Sequence, residues 1–109
     1  MVDGQSSLQD FISHLTAEKH FSNNTIAAYR NDITQFLGWL DGRPGKHTWS
    51  DITRSDVQDY LVHLKGREER AYAPSTQARK MAAIKSFFHF LAADHKIAKD
   101  PTADLVSPK

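Results

Sequence analysis

The spacing of apolar residues predicts four amphipathic helices. Apolar side chains recur every three or four positions in four separate stretches, the period that places them on one side of a helix. Clusters of turn-forming residues separate the stretches. Alternation with a period of two, typical of half-buried strands, is weak throughout, and only residues 46–49 are compatible with a brief extended segment. The pattern therefore predicts an all-α bundle of four to five helices.

Polar residues at the helix starts and ends predict the boundaries. The first helix is expected to open near Ser6 or Ser7 and to fade by His20. The second is expected to begin at Ser22, whose hydroxyl can cap the free amides of a first turn. Two glycines and a proline within residues 41–45 end this second helix.

The same signals predict the second half of the chain. The third helix is expected to begin at Thr53, with Asp56 three residues on to complement the first-turn amides. The fourth is expected to begin at Pro74, which suits a first turn, and to end around residues 94–95. After Asp100 and a proline that disfavours helix, residues 102–109 are predicted to form an extended tail with little to bury.

The fourth helix has two chemically different sides. Its apolar stripe consists of Met81, Ile84, Phe88 and Leu91. The opposite side consists of Ser75, Thr76, Arg79, Ala83 and Ser86. The hydroxyls of the first turn are expected to cap the helix. Short side chains around one arginine allow close approach to something large and anionic, and we predict that this partner is duplex DNA.

Charge is distributed unevenly along the chain, although the net charge is only +1. Residues 1–64 hold five Lys or Arg against eight Asp or Glu, whereas residues 65–99 hold eight against three. Residues 100–109 hold one against two. This asymmetry is expected of a localised anion-binding face, and equally of chance clustering on a solvated surface.

Composition argues against several classes of protein. The absence of cysteine excludes disulfides and thiolate chemistry. No apolar run approaches the roughly 18 residues of a membrane span, and the N-terminus lacks the order of a signal peptide, so we predict a soluble cytoplasmic protein without a membrane partner. The six histidines form no i, i+4 pair, so we expect no metal. No cofactor or enzymatic site is expected, because phosphate-loop and nucleophile-elbow motifs are missing.

Four segments resemble the N-terminal core-binding domain of tyrosine recombinases, which include the phage integrases and the Xer-type site-specific recombinases. The second helix carries NTIAAYRNDI at residues 24–33, followed by FLGWL at residues 36–40. The third carries ITRSDVQDYL at residues 52–61, and the fourth carries STQARKMAAIKSFFHFL at residues 75–91. The segment DPTADLVSPK at residues 100–109 resembles the hinge that leads into the catalytic domain.

The resemblance implies a SAM-like helical clamp that grips one face of a recombination site. It divides the chain into a flexible N-terminus at residues 1–6, a DNA-binding core-binding domain at 7–99 and a linker at 100–109. In this family the catalytic residues belong to a second domain, so no strand cleavage is expected of this chain alone. Tyr29, Tyr60 and Tyr72 are not expected to act as the nucleophile. The implied partners are a double-stranded recombination site, the catalytic domain of the same parent protein, and other recombinase protomers.

In the family the second and fourth helices meet DNA, so their polar sides are expected to carry the contacts. The predicted contact residues are Asn24, Thr25, Ala27, Ala28, Arg30, Asn31, Arg70, Tyr72, Ser75, Thr76, Arg79, Lys80 and Lys85. Gln35 lies on the same side of the second helix. Arg79 is the leading candidate, with an intramolecular ion pair as the alternative. An alternative function is a non-catalytic helical protein–protein interaction domain.

Other roles remain open for several of these residues. Asn24 and Thr25 are also candidates for helix caps. Arg30 and Lys85 are equally interpreted as ordinary solvated charges. The alanines at positions 27, 28 and 83 could be close helix-packing positions instead of groove contacts.

Overall fold

The chain folds into a bundle of four α-helices. The computed structural model describes residues 3–66 and 72–105. The helices are α1 (Gly4–Ala17), α2 (Asn23–Asp41), α3 (Arg54–Lys65) and α4 (Pro74–Ala93). A short 3-10 helix, Trp49–Asp51, lies between α2 and α3. These two described ranges contain no strand, and the predicted all-α class is confirmed.

Two helices begin at the capping residues that the sequence predicts. The Ser22 hydroxyl accepts a hydrogen bond from the Thr25 amide at 3.2 Å at the start of α2. At the start of α3, the Thr53 hydroxyl accepts from the Asp56 amide at 3.2 Å, and the Asp56 carboxylate accepts from the Thr53 amide at 2.8 Å. Both N-terminal boundaries are thus fixed by local hydrogen bonds, which is why the sequence alone locates them.

The start of α4 differs from its prediction in one respect. Pro74 occupies the first turn as expected, but the N-cap residue is Ala73, which has no side-chain capping bond. Ser75 and Thr76 lie inside the first turn and do not cap it, so that expectation is wrong. Ser75 is exposed and Thr76 is partly buried in this turn.

Helix α4 is the central element of the bundle and packs against α1, α2 and α3. The predicted apolar stripe is fully buried, and so is Phe87. Ala83 is also buried, with no exposed surface, so the helix-packing alternative is observed for this residue and its placement on the polar side is not. That placement is wrong because a helix with neighbours on three sides is buried over most of its circumference. The first two turns of α4 keep exposed polar residues, among them Ser75 and Arg79.

Aromatic side chains hold the other elements around α4. Phe11 of α1 meets Phe87 edge-to-face at 5.3 Å between ring centroids, and Phe36 of α2 meets Phe88 at 6.0 Å. Trp49 of the 3-10 helix packs edge-on against Phe87 at 4.7 Å. Such pairs each add about 0.5–1.5 kcal/mol beyond the burial of their surface. Phe87 and Phe88 therefore form the contacts through which α1, α2 and the 3-10 helix pack on α4.

The connection from α2 to α3 is tied to the buried side chain of Asp56. Arg43 donates to this carboxylate at 3.2 Å, and the Lys46 ammonium lies 2.8 Å from it. Burial alone raises the pKa of Asp56, but hydrogen bonds from Lys46 and from Thr53 outweigh burial, and the net pKa is lowered. Residues 46–49 form no strand: Thr48 has an extended backbone, but it is the N-cap of the 3-10 helix that begins at Trp49.

Residues after α4 fold back onto the bundle. Ile97, Thr102 and Leu105 are all buried. The Lys85 ammonium donates to the Leu105 carbonyl at 2.8 Å, which ties the segment to α4. The expectation of an extended tail with little to bury is therefore wrong for residues 102–105. None of the helices within 3–66 and 72–105 is long and apolar enough to cross a membrane.

Candidate nucleic-acid interface

The side of α2 that faces away from the core carries small and amide side chains. Asn24, Ala27, Asn31 and Gln35 are exposed and Ala28 is partly buried. Their spacing of three or four residues places them on one side of the helix, opposite the buried apolar side chains. We call these five residues the α2 face. Arg30 is exposed beside it.

The first two turns of α4 adjoin the α2 face. Ser75 is exposed and Thr76 is partly buried, while the Arg79 side chain keeps 41% of its surface exposed. Tyr72 precedes the helix and is 36% exposed. The Gln35 amide donates to the Tyr72 hydroxyl at 2.9 Å, which joins α2 to the residues just before α4. The α2 face, Tyr72 and Arg79 therefore adjoin one another on one side of the bundle.

A buried carboxylate lies beneath this surface. The Asp32 side chain has no exposed surface and accepts hydrogen bonds from two neighbouring cations of α4. Arg79 donates through Nε at 3.0 Å and through Nη2 at 2.8 Å. The Lys80 ammonium donates to the same carboxylate at 2.9 Å and also to the Gln35 side-chain carbonyl. One buried anion is thus matched by two cations.

Arg79 combines an ion pair with an exposed outer edge. The hydrogen bonds to Asp32 raise the pKa of Arg79 above its already high ordinary value, so the side chain stays charged. A guanidinium has five N–H donors, and Asp32 accepts from two of them. The alternative considered for Arg79, an intramolecular ion pair, is therefore observed. Because three donors are not used by Asp32, the ion pair leaves the side chain able to bind a second anion.

Lys80 is not a surface cation. Its side chain is only 2% exposed and its ammonium points at Asp32, so the expectation that it contacts DNA from the surface is wrong. Lys85 is partly buried and donates to the Leu105 carbonyl. That contact removes Lys85 from the shared side of α2 and α4. Two of the three predicted α4 cations, Lys80 and Lys85, thus bind groups within the fold.

Three predicted residues lie at the start of α2 or outside the described part of the chain. Thr25 is partly buried, and its hydroxyl accepts from Ser22 at 3.0 Å, so it takes part in the cap of α2. Asn24 is exposed at the start of the same helix. Arg70 lies outside the described residues.

Two of the tyrosines, Tyr29 and Tyr60, have a raised pKa, which disfavours their ionisation to a nucleophile. Burial raises the pKa of Tyr29, and the nearby Asp32 carboxylate raises it further, with a smaller opposing effect of Arg79. Burial also raises the pKa of Tyr60, which is 2% exposed. Both hydroxyls therefore stay protonated at neutral pH. Among the described residues, no three acidic or histidine side chains are placed to hold a metal ion.

Sequence reasoning missed the Asp32 cluster although a signal for it was present. Asp32 lies one turn after Ala28 and shares the buried side of α2 with Ile33 and Phe36. Lys80 likewise lies one turn before Ile84 on the buried side of α4. A charge at a core position needs a partner of opposite sign. An acid on one apolar stripe and a base on another would have pointed to this pair.

Comparison with known families assigns the fold. The family described as "Phage integrase, N-terminal SAM-like domain" matches residues 8–95. The chain belongs to this family. The resemblance to the core-binding domain of tyrosine recombinases is thereby confirmed, and the SAM-like domain accounts for nearly all of the described bundle.

Curated relatives of this SAM-like domain carry the names of Xer recombinases. The tyrosine recombinase XerC of Herpetosiphon aurantiacus is 45% identical over 105 residues, which are 96% of this chain and 33% of the relative. XerC of Roseiflexus castenholzii is 46% identical over 102 residues, 94% of this chain and 31% of the relative. XerD of Bifidobacterium longum is 33% identical over 110 residues, covering all of this chain and 34% of the relative. The chain spans about a third of the length of these relatives. No solved structure matches.

Proposed function

We propose that this domain binds double-stranded DNA through the α2 face and the first two turns of α4, as the core-binding domain of a site-specific tyrosine recombinase. The observation that carries the proposal is the surface on which the α2 face adjoins the exposed edge of Arg79. Family membership supports the same conclusion, because the relatives are named tyrosine recombinases.

The chemistry of the surface suits a DNA groove. Alanines at positions 27 and 28 allow a helix to approach the bases closely, and their methyl groups suit contacts with thymine methyls. The Asn31 amide has the donor and acceptor needed to pair with an adenine edge. Arg79 supplies a fixed positive charge for a guanine edge or a phosphate.

Phosphate contacts would set the position of the domain on the duplex. Ser75 and Thr76 lie in the first turn of α4, where the helix dipole favours an anion and where no side chain caps the helix at Ala73. Arg30 is exposed beside the α2 face and suits a neighbouring phosphate. Binding is expected to be mainly electrostatic, with a smaller share of base recognition.

The parent activity follows from the family and is proposed on that basis. We infer that the domain acts together with a recombinase catalytic domain and with other protomers on a recombination site. Strand cleavage and rejoining are assigned to that catalytic domain. The role of residues 3–105 is to hold the DNA while those steps occur.

The test is a salt titration of DNA binding with matched arginine variants. A fluorescently labelled duplex of about 20 base pairs exceeds the longest dimension of the domain, 38 Å, at about 3.4 Å per base pair. Binding should fall linearly with the logarithm of salt concentration. Arg79→Ala should weaken binding by about 5- to 150-fold if it contacts a base, or reduce the salt slope by about one if it contacts a phosphate.

Arg54→Ala is the matched control, since it removes the same charge from an exposed position on α3. It should leave affinity and salt slope close to those of the unmodified chain. Equal losses in the two variants would contradict the proposed surface, and an absence of duplex binding at about 50 mM salt would contradict DNA binding altogether.

A further inference from the structure

An acidic side chain under a DNA-binding surface needs a physical explanation. Coulomb's law makes a carboxylate near phosphates unfavourable, and the effect is stronger where water is excluded. Asp32 has no exposed side-chain surface, so it contributes nothing to solubility. It lies directly behind Arg79, the residue that the proposed function assigns to a base or phosphate contact.

The geometry around Asp32 fixes the orientation of Arg79. Two N–H groups on the same edge of the guanidinium, Nε and Nη2, donate to the two oxygens of one carboxylate. A two-point contact of this kind sets the plane of the guanidinium as well as its position. The opposite edge of the plane, with its remaining donors, is then directed away from Asp32.

The carboxylate is itself anchored from inside the bundle. The Lys80 ammonium, 2% exposed, donates to Asp32 at 2.9 Å and to the Gln35 carbonyl. Gln35 in turn donates to Tyr72 at the protein surface. A buried cation thus holds the acid, and the acid holds an exposed cation.

We infer that Asp32 is a positioning residue that orders the Arg79 guanidinium before DNA arrives, so that its outer edge is presented to the duplex. The inference rests on the proposed function and deepens it. Ordering one long side chain in advance is expected to tighten binding about two- to tenfold, since its conformational entropy is then not lost on association. Asp32 itself touches no DNA.

The inference and simple electrostatics predict opposite changes in DNA affinity when the Asp32 charge is removed. Replacing Asp32 by Asn removes a negative charge, and by Coulomb attraction alone the variant should bind DNA more tightly. If Asp32 positions Arg79, the same replacement should bind more weakly. The Asn side chain retains one carbonyl oxygen and cannot accept the two-point contact as an anion.

The comparison is made in a Lys80→Met background. Methionine fills a similar volume without a buried charge, so Asp32→Asn then leaves no ammonium unmatched in the core. Lys80→Met and Asp32→Asn/Lys80→Met are compared for binding to the same labelled duplex of about 20 base pairs at fixed salt. Folding of both is checked by circular dichroism. We expect the second variant to bind about two- to tenfold more weakly than the first.

A double-mutant cycle separates positioning from other effects of Asp32. The same Asp32→Asn change is made in chains that also carry Arg79→Ala, and its effect on affinity is measured again. If Asp32 acts through Arg79, the weakening should disappear in that background. Tighter binding on Asp32→Asn, or an equal change with and without Arg79, would overturn the inference.

A second variant tests the inference independently if Asp32→Asn disturbs the fold. Arg79→Lys keeps the charge but replaces the two-point contact by a single ammonium. It should bind DNA about two- to tenfold more weakly than the unmodified chain, and wild-type affinity would overturn the inference. Failure of the unmodified chain to bind duplex would refute the proposed function and this inference together. Duplex binding with unchanged affinity of the Arg79→Lys variant would refute the inference alone.

Discussion

Removing the Asp32 carboxylate should destabilise the bundle far more than removing the cation beneath it. Asp32→Asn leaves the Lys80 ammonium in a site that is only 2% exposed, with neutral side-chain carbonyls as acceptors in place of the carboxylate. Breaking a buried ion pair from one side costs about 3–5 kcal/mol. Lys80→Met leaves Asp32 with both hydrogen bonds from Arg79, and an apolar replacement of similar volume should cost less than about 1.5 kcal/mol.

Urea unfolding followed by circular dichroism measures this asymmetry. The double variant Asp32→Asn/Lys80→Met removes both buried charges and should recover most of the loss caused by Asp32→Asn alone. Asp10→Asn makes the same chemical change at an exposed position of α1 and should stay within about 0.5 kcal/mol of the unmodified chain. Equal free energies of unfolding for Asp32→Asn and Lys80→Met would refute the reasoning, because the carboxylate would then not be the shared partner.

Three further perturbations test other parts of the fold. Phe88→Ala should lower the free energy of unfolding by about 3–5 kcal/mol in the same urea assay, because this ring is fully buried and meets Phe36 edge-to-face. Asp56→Asn should lower the free energy of unfolding at pH 7, but much less once the pH falls below 3.8, the ordinary pKa of an aspartate. The pKa of Asp56 is lowered in the folded state, so the stabilisation that its carboxylate gives is lost as the pH falls. Unfolding curves at several pH values measure this. Lys85→Met should speed amide hydrogen exchange in residues 102–105, because it removes the bond to the Leu105 carbonyl.

Each of these three predictions has a result that would contradict it. A loss below about 1 kcal/mol for Phe88→Ala would mean that the core repacks around the missing ring. A stability difference between Asp56→Asn and the unmodified chain that does not shrink in acid would show that the carboxylate is not held as an anion. Unchanged exchange in Lys85→Met would show that burial of Leu105, and not the hydrogen bond, holds the segment.

Local physics made much of the fold predictable. Helix starts depend on hydrogen bonds within four residues, and the starts at Ser22 and Thr53 are predictable for that reason. The apolar stripe of α4 was equally predictable because it follows from the helical period. What the pattern could not give was the number of neighbours around α4. Ala83 is buried by that tertiary packing, which no local rule describes.

The candidate site was predictable only in part, for a related reason. The α2 face could be read from spacing, since its residues alternate with the buried side chains of one helix. The pairing of Asp32 with Arg79 and Lys80 joins positions 47 and 48 residues apart, and only the assembled bundle brings them together. Neutralisation of these cations by a buried acid also reduces the anion-binding surface that the charge distribution suggested.

Chemical-shift mapping with duplex DNA tests the central claim most directly. A 15N-labelled sample titrated with the duplex should show perturbed amides clustered at Asn24–Asn31 and at Ser75–Arg79. Perturbations concentrated instead on α1 and α3 would contradict the proposed surface, and the contact residues on α2 and α4 would then have to be abandoned.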